Sequence, residues 1–230
     1  MHIGLIGGIG VAATLVYYQR LVAAIEALDA RPEITIVHAQ VQDLVRNNLD
    51  DERERQAEIY AVLVDRLEAA GCDCAAITSL GGHFCFEETQ PLASLPLVSA
   101  VTPLDDYFDS QSLGTVGLLG TRVVMRTGLY GQLTKTTPIA LTEEIDNIGQ
   151  TYTDMAIAGT CTETQREFFL RAGQQLSDAG AEAIVLAGTD LNLAFDGVDT
   201  NYQVIDALDV HVDVLAKLGA GVTSLSEFTS

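Results

Sequence analysis

Apolar residues recur along the chain in two alternating patterns: short continuous runs and longer amphipathic segments. The short runs predict β-strands buried on both faces, at His2–Gly7, Ile34–Ala39, Cys74–Ser79, Pro96–Ala100, Thr115–Gly120, Ala183–Ala187 and Val204–Asp206. The amphipathic segments predict helices, because their apolar positions recur every three to four residues; they are Thr14–Leu28, Glu52–Ala70, Met125–Leu133, Thr162–Ala179 and 207–218. The polar stretch Gln42–Asp51 predicts a loop, and Ser224–Ser230 a frayed tail.

Strands that alternate with helices predict an α/β fold, with parallel sheets flanked by helices. Ligands of such folds bind outside the carboxyl ends of the strands. In this chain those ends are predicted at Gly7–Gly10, Ser79–His83, Gly120–Thr121 and Gly188–Asp190.

One stretch of this pattern occurs twice. Residues 70–79 resemble residues 179–188 at an offset of 109 (179 − 70), and Ile3–Gly7 resembles Val116–Gly120 at an offset of 113 (116 − 3). A repeat of this length predicts two similar lobes related by pseudo-twofold symmetry, with a small-ligand cleft between them. We expect Ser79 and Gly188, at the ends of equivalent strands, to face one another across that cleft.

The composition restricts the partners. Lys and Arg number 12 against 32 Asp and Glu, a net charge of −20. This argues against nucleic acid and anionic membrane surfaces as partners. No signal-peptide pattern or long apolar span is visible, and four cysteines without metal or redox spacing predict free thiols. The expected location is the cytoplasm.

A glycine-rich turn follows the first strand. Its pattern, Gly8-x-Gly10-x-x-Ala13, fits the dinucleotide-binding fingerprint. The second strand, however, ends at His38-Ala39-Gln40 and lacks the acidic residue that binds the ribose in dinucleotide-binding folds. We therefore predict no cofactor, and interpret Gly8 and Gly10 as backbone that suits an anion such as a carboxylate.

Two strand-end loops carry the other candidate site residues. The first holds Ser79, Leu80, Gly81, Gly82 and His83, and the second Gly188, Thr189 and Asp190. Small and hydroxyl residues with exposed amides can hold a carboxylate, although the glycines equally suit a tight turn. His83 is interpreted either as a proton shuttle or as a structural histidine. No cluster has metal-ligand spacing.

Few basic residues are available to hold an anion. Arg46 follows the second strand, and Arg122 and Arg126 lie beside Thr121 at a second-lobe strand end. Each is interpreted as either a ligand contact or a solvated surface residue. Asp206 either faces the cleft or caps the next helix.

Several of these segments together resemble one known family. They are Ile3–Gly10 followed by Ala13 and Thr14, Gly71 with Asp73, Gly117–Thr121 followed by Tyr130, and Thr189–Leu191. With them the chain resembles the aspartate/glutamate racemase superfamily over nearly its full length. The resemblance implies cofactor-independent, PLP-independent proton transfer in amino-acid metabolism, a homodimer, and two catalytic cysteines on opposite faces of the substrate's α-carbon. Arg46 and Thr121 are placed with the substrate contacts on the same basis.

This chain departs from the family at both cysteines. By the resemblance, Ser79 and Gly188 stand at the two cysteine positions, and His83 is retained from the first motif. A thiol ionises near pH 8.5, whereas serine has no accessible anion and glycine has no side chain. Racemisation by two thiols is therefore not expected.

Three hypotheses follow. The chain is an isomerase of this family with altered chemistry, with Ser79, His83, Thr189 or Asp190 as acid or base on a small carboxylate. Alternatively, it is a pseudoenzyme that binds a small carboxylate or amino acid without turnover, or an unrelated doubly wound protein. The resemblance, supported by the repeat, implies lobe one at residues 1–100 plus 207–230 and lobe two at 101–206.

Overall fold

A computed structural model describes residues 1–228 of the chain. The chain divides into two compact units. Unit 1 comprises Met1–Ala100 and the chain from His211 onward, and unit 2 comprises Val101–Val210. The chain therefore leaves unit 1 once and returns to it, and each unit has its own sheet.

Unit 1 is built on a four-stranded parallel sheet. Its elements are β1 (His2–Gly7), α1 (Val11–Ala27), β2 (Glu33–His38), α2 (Val41–Leu49), α3 (Arg53–Ala69), β3 (Cys74–Ile77), α4 (Phe86–Thr89) and β4 (Leu97–Val98). The strand order is β2-β1-β3-β4. All residues of β3 and β4 are buried, as the continuous apolar runs predict.

Unit 2 repeats this plan. Its elements are α5 (Pro103–Ser110), β5 (Thr115–Gly120), α6 (Arg122–Thr127), β6 (Thr137–Ile139), α7 (Ile145–Ala158), α8 (Glu163–Asp178), β7 (Ala183–Ala187), α9 (Asn192–Phe195) and β8 (Val204–Asp206). The strands are parallel in the order β6-β5-β7-β8, equivalent to the order in unit 1. The helix α10 (Ala207–Gly219) contains the return point at His211.

The repeat is also visible in the packing of each sheet against its amphipathic helix. In unit 1, Leu67 of α3 lies so close to Gly4 of β1 that a β-carbon at Gly4 would stand 2.8 Å from its Cδ1. In unit 2, a β-carbon at Gly117 would stand 2.9 Å from the β-carbon of Leu176, on α8. The same two offsets, 113 and 109, relate both pairs (117 − 4, 176 − 67). The glycines allow each helix to approach the sheet closely.

Four segments differ from the sequence-based predictions. The predicted loop Gln42–Asp51 is mostly helix α2, and the predicted helix Met125–Leu133 begins and ends earlier, as α6. Short 3₁₀ turns form at Gly81–Cys85 and, within the predicted tail, at Leu225–Glu227. The last two tail residues lie outside the described part of the chain. The elements α4, α5, β6, α7 and α9 have no counterpart among the predicted segments.

Candidate active site

The strand-end loop of unit 1 is held by bonds within itself. Ser79 follows β3 and is buried. Its Oγ accepts a hydrogen bond from the Gly82 N–H at 3.2 Å, and its carbonyl accepts the same N–H at 3.1 Å. The side chain of Asn48 on α2 reaches the Gly81 carbonyl at 3.4 Å. The loop therefore forms a fixed turn rather than an open strand end.

His83 in this loop is bonded at both ring nitrogens. Its Nδ1 lies 2.7 Å from the Ser79 carbonyl, and the Ala100 N–H lies 3.0 Å from its Nε2. Because a carbonyl only accepts and an N–H only donates, these partners require a neutral ring with the proton on Nδ1. The bond to Ser79 goes to the main chain, so the two residues form no base–hydroxyl pair of the kind that activates a serine nucleophile.

The surroundings of His83 disfavour its charged form. Burial lowers its pKa to about 4, against which the bond to Ser79 acts only in part. Protonation would also place a hydrogen on the nitrogen that accepts from Ala100. Near neutral pH the imidazole is therefore uncharged and fully engaged with the main chain.

In unit 2 the corresponding loop begins at Gly188, directly after β7. A β-carbon at this glycine would stand 2.5 Å from Cε2 and 2.8 Å from Cζ of Tyr152, which lies on α7. The φ of Gly188 is −141°, an extended conformation open to any residue. Lack of space and not the φ of Gly188 therefore excludes a side chain at position 188; the ring of Tyr152 makes the closest contact, and Cα of Gly120 would stand 3.1 Å away.

Tyr152 belongs to a buried polar cluster with the next two residues of the loop. Its hydroxyl donates to Oδ2 of Asp190 at 3.3 Å, and Tyr152, Thr189 and Asp190 are all buried. Burial and the neighbouring carboxylate of Asp190 raise the pKa of Tyr152 well above its usual value, so the phenol is a proton donor. The sequence pattern does not single out Tyr152, because α7 has no counterpart among the predicted helices.

The family to which these loops belong follows from a comparison with family models. The Asp/Glu/Hydantoin racemase model matches residues 6–215, a range that includes both strand-end loops and all strands except the first four residues of β1. The chain belongs to the Asp/Glu/hydantoin racemase family. This membership excludes the hypothesis of an unrelated doubly wound protein.

Solved structures similar to this chain include several racemases. A candidate Asp/Glu racemase from Yersinia pestis is 21% identical, with a TM-score of 0.79, over 95% of this chain and 99% of that one. Picrophilus torridus aspartate racemase is 17% identical (TM-score 0.80, 95% and 94% covered). Glutamate racemase from Francisella tularensis, solved with D-glutamate, is 15% identical (TM-score 0.66, 94% and 80% covered). At these identities the likeness confirms the two-lobed α/β fold.

The glycine-rich turn of this family member is closed by an internal hydrogen bond. Gly8 has a φ of +87°, and its N–H donates to Oγ1 of Thr14 at 2.9 Å. That hydroxyl donates in turn to the Gly10 carbonyl at 3.0 Å. The amide of Gly8 is thereby used within the turn, whereas the sequence suggested that it binds an anion.

The basic candidates are paired with carboxylates. Arg46 lies on α2, not in the predicted loop, and bonds Asp43 on the same helix at 2.7 Å. Arg122 and Arg126 both pair with Asp146 near the start of α7. The Oγ1 of Thr121 accepts from the Val124 N–H at 3.5 Å and caps α6.

The remaining expectations concern acids, thiols and metals. Asp206 accepts from the Leu208 N–H at 3.0 Å and so caps α10. All four cysteines are free, and burial raises the pKa of Cys74 and of Cys85 to about 12, so both are neutral thiols. Within residues 1–228, no group of three or more His, Cys, Asp or Glu could hold a metal. No helix in the same range has the length and apolar character to cross a membrane.

Proposed function

We propose that this family member binds a small carboxylate or amino acid at its strand-end loops and does not racemise it with two thiols. The observation that carries the proposal is the ring of Tyr152 in the side-chain space of Gly188. In the family resemblance, position 188 holds a catalytic cysteine. In this chain the ring of Tyr152, on α7, fills the space that the cysteine side chain would need.

The loop of unit 1 supports the same conclusion. Ser79 stands at the other cysteine position, and its hydroxyl accepts from a backbone N–H of its own turn. His83, the one imidazole in that loop, is neutral and has both nitrogens engaged. Neither residue is therefore arranged to remove a proton from a carbon. An isomerase with altered chemistry would need its acid or base elsewhere, and Thr189 and Asp190 are the remaining candidates from the sequence.

The ligand class rests on the family. The related glutamate racemase from Francisella tularensis was solved with D-glutamate. We extend that class, a small amino acid or carboxylate, to this chain. The many acidic residues give a net charge of −20, so binding of an anion depends on local donors rather than on the overall field.

Two measurements on the unmodified protein test the proposal. Calorimetric titration with the enantiomers of aspartate and glutamate, and with succinate, is expected to detect binding of at least one. Proton NMR in D₂O is expected to detect no loss of the α-proton signal from a bound amino acid. Exchange of that proton would establish turnover by a base other than a thiol pair and contradict binding without turnover, while binding to none of the five compounds would contradict the ligand class.

Stability measurements test whether the ring of Tyr152 excludes a side chain at position 188. We expect Gly188→Ala to destabilise the protein by about 1–3 kcal/mol, because the new methyl meets the ring of Tyr152. In a Tyr152→Leu background the same substitution should cost clearly less. Gly114→Ala is the matched control, since its β-carbon would meet only Oε2 of Glu182, at 3.4 Å. Equal costs at position 188 in both backgrounds would contradict the assignment.

The resemblance also implies a homodimer, and the free thiols favour a cytoplasmic location. The surface of α1 offers a candidate contact, because Val11, Leu15 and Tyr18 lie on one exposed face and are 57%, 59% and 46% exposed. The segment 11–25 holds no acidic residue in a strongly acidic chain, so two such faces can meet without repulsion. We expect light scattering to give the mass of a dimer, and Leu15→Glu to give that of a monomer.

A further inference from the structure

Asn192 carries a buried side-chain amide without a hydrogen-bond partner in the described part of the chain. It is 2% exposed and opens α9, directly after the turn Thr189–Leu191. Neither Oδ1 nor Nδ2 of its side chain has a hydrogen-bond partner among residues 1–228. The buried Asn47, by contrast, donates from Nδ2 to Gln56 at 2.9 Å and lacks a partner only at Oδ1.

The usual structural reason for asparagine at this place does not apply. Asparagine is favoured at helix starts because its oxygen accepts a backbone N–H from the first turn, while its own backbone is extended. Asn192 has helical dihedrals (φ −52°, ψ −33°), and its oxygen accepts from no described residue. An unpaired buried amide is less stable than an apolar side chain of the same shape. Leucine would suit the site better unless the amide has a partner outside the chain.

We propose that the side-chain amide of Asn192 binds the ligand. The residue lies four positions after Gly188 and continues the turn that holds Thr189 and Asp190. Its amide offers donors and an acceptor side by side. That pair matches a molecule whose carboxylate lies beside an ammonium or hydroxyl group, such as an α-amino acid. The inference rests on the proposed function and adds to it the residue that selects an amino acid over a plain carboxylate.

The test compares two substitutions at Asn192 with a control. Asn192→Leu keeps the shape and removes both hydrogen-bonding functions, whereas Asn192→Asp keeps an acceptor and adds a charge that repels a carboxylate. Asn201→Ala, at an exposed position of the same unit, is the control. The probes are aspartate, as whichever enantiomer binds the unmodified protein, and succinate, both titrated calorimetrically.

We expect Asn192→Leu to weaken aspartate binding about tenfold or more. Succinate, which lacks the ammonium group, should lose less. Asn192→Asp should also bind aspartate more weakly, and Asn201→Ala should bind it as the unmodified protein does. The midpoint of thermal unfolding of Asn192→Leu in the absence of ligand should equal or exceed that of the unmodified protein, because the unpaired amide is gone.

The possible failures are distinguishable. Aspartate binding by Asn192→Leu at unchanged strength would overturn the role of Asn192 and leave the proposed function intact. A large drop in the unfolding midpoint of that variant would show that the amide has a partner within the protein, and would likewise overturn it. Binding of none of the compounds by the unmodified protein would overturn both proposals.

Discussion

Acid should destabilise this protein well above the pH at which its carboxylates titrate, because two histidines are buried as neutral rings. Burial lowers the pKa of His83 to about 4 and that of His211 to about 3. His83 accepts from the N–H of Ala100, and Nδ1 of His211 lies 2.9 Å from the hydroxyl of Tyr17. In the unfolded chain both rings take up protons near pH 6.5.

Proton linkage gives the sign and the size of the change in the free energy of unfolding with pH. Between pH 6.5 and each folded pKa the unfolded state binds more protons, so the free energy of unfolding falls as the pH falls. The loss begins near pH 6.5 and is complete for His83 only below pH 4. From pH 7.5 to pH 5, a shift from 6.5 to about 4 removes about 2 kcal/mol, and His211 removes about as much. A loss of about 4 kcal/mol is a large share of the 5–15 kcal/mol typical of a folded protein.

Urea unfolding at pH 7.5 and pH 5 measures this loss. His83→Gln keeps a donor and an acceptor but cannot take up a proton, so its loss between the two pH values should be smaller by about 2 kcal/mol. His38→Gln, which replaces an exposed imidazole, is the control and should keep the full loss. A pH dependence in His83→Gln as steep as in the unmodified protein would refute the argument from burial.

Three further predictions concern other parts of the molecule. The carboxylate of Asp105 accepts hydrogen bonds from the backbone of Thr134, Lys135 and Thr136, and these bonds outweigh burial and lower its pKa. Asp105→Asn should therefore lower the free energy of unfolding, measured with urea, by about 2 kcal/mol. A loss near zero would contradict the stabilising role of these bonds. Gly8→Ala should cost about 2 kcal/mol or more, because its φ is positive and a β-carbon would strike the ring of His38. Gly71→Ala, with positive φ but open space, should cost less; equal costs would refute the clash. The net charge of −20 implies repulsion among the acidic residues of the folded protein. Raising KCl from 0.1 to 1 M shortens the screening length from about 10 to about 3 Å, so the midpoint of thermal unfolding should rise. A constant midpoint would count against such repulsion.

The apolar pattern predicts the buried parts of the fold well and the polar parts poorly. Strands β1, β5, β7 and β8 were predicted with their observed bounds, since continuous apolar runs ending in glycine or a polar residue leave little choice. Helix α2 was missed because its buried face is partly polar: Asn47 on that face pairs with Gln56 on α3 instead of packing an apolar side chain. Strand β6 has three residues, one of them proline, which is too short for a period to show.

For the candidate site, the sequence predicts the positions of the residues but not their contacts. The strand ends, and with them Ser79, His83 and Gly188, follow from the repeat, because equivalent strands end at equivalent places. What those residues contact does not follow, because the partners are distant in the chain: Ala100 lies 17 residues after His83, and Tyr152 lies 36 before Gly188 (188 − 152).

Those distant partners change the meaning of the residues that the sequence singles out. A histidine at a strand end suggests a proton shuttle until its two nitrogens are found on main-chain groups, after which it is a support for the turn. A glycine at a cysteine position suggests a simple loss until a tyrosine ring is found in its place. In unit 1 the bonds of His83 hold the turn in place. In unit 2, Tyr152, Thr189 and Asp190 form a polar cluster without a thiol. A turn built in this way can hold a ligand through fixed groups, and Asn192, two residues after Asp190, has a side-chain amide without a partner among residues 1–228. Substitution of Asn192 therefore best separates a role in binding from a role in structure.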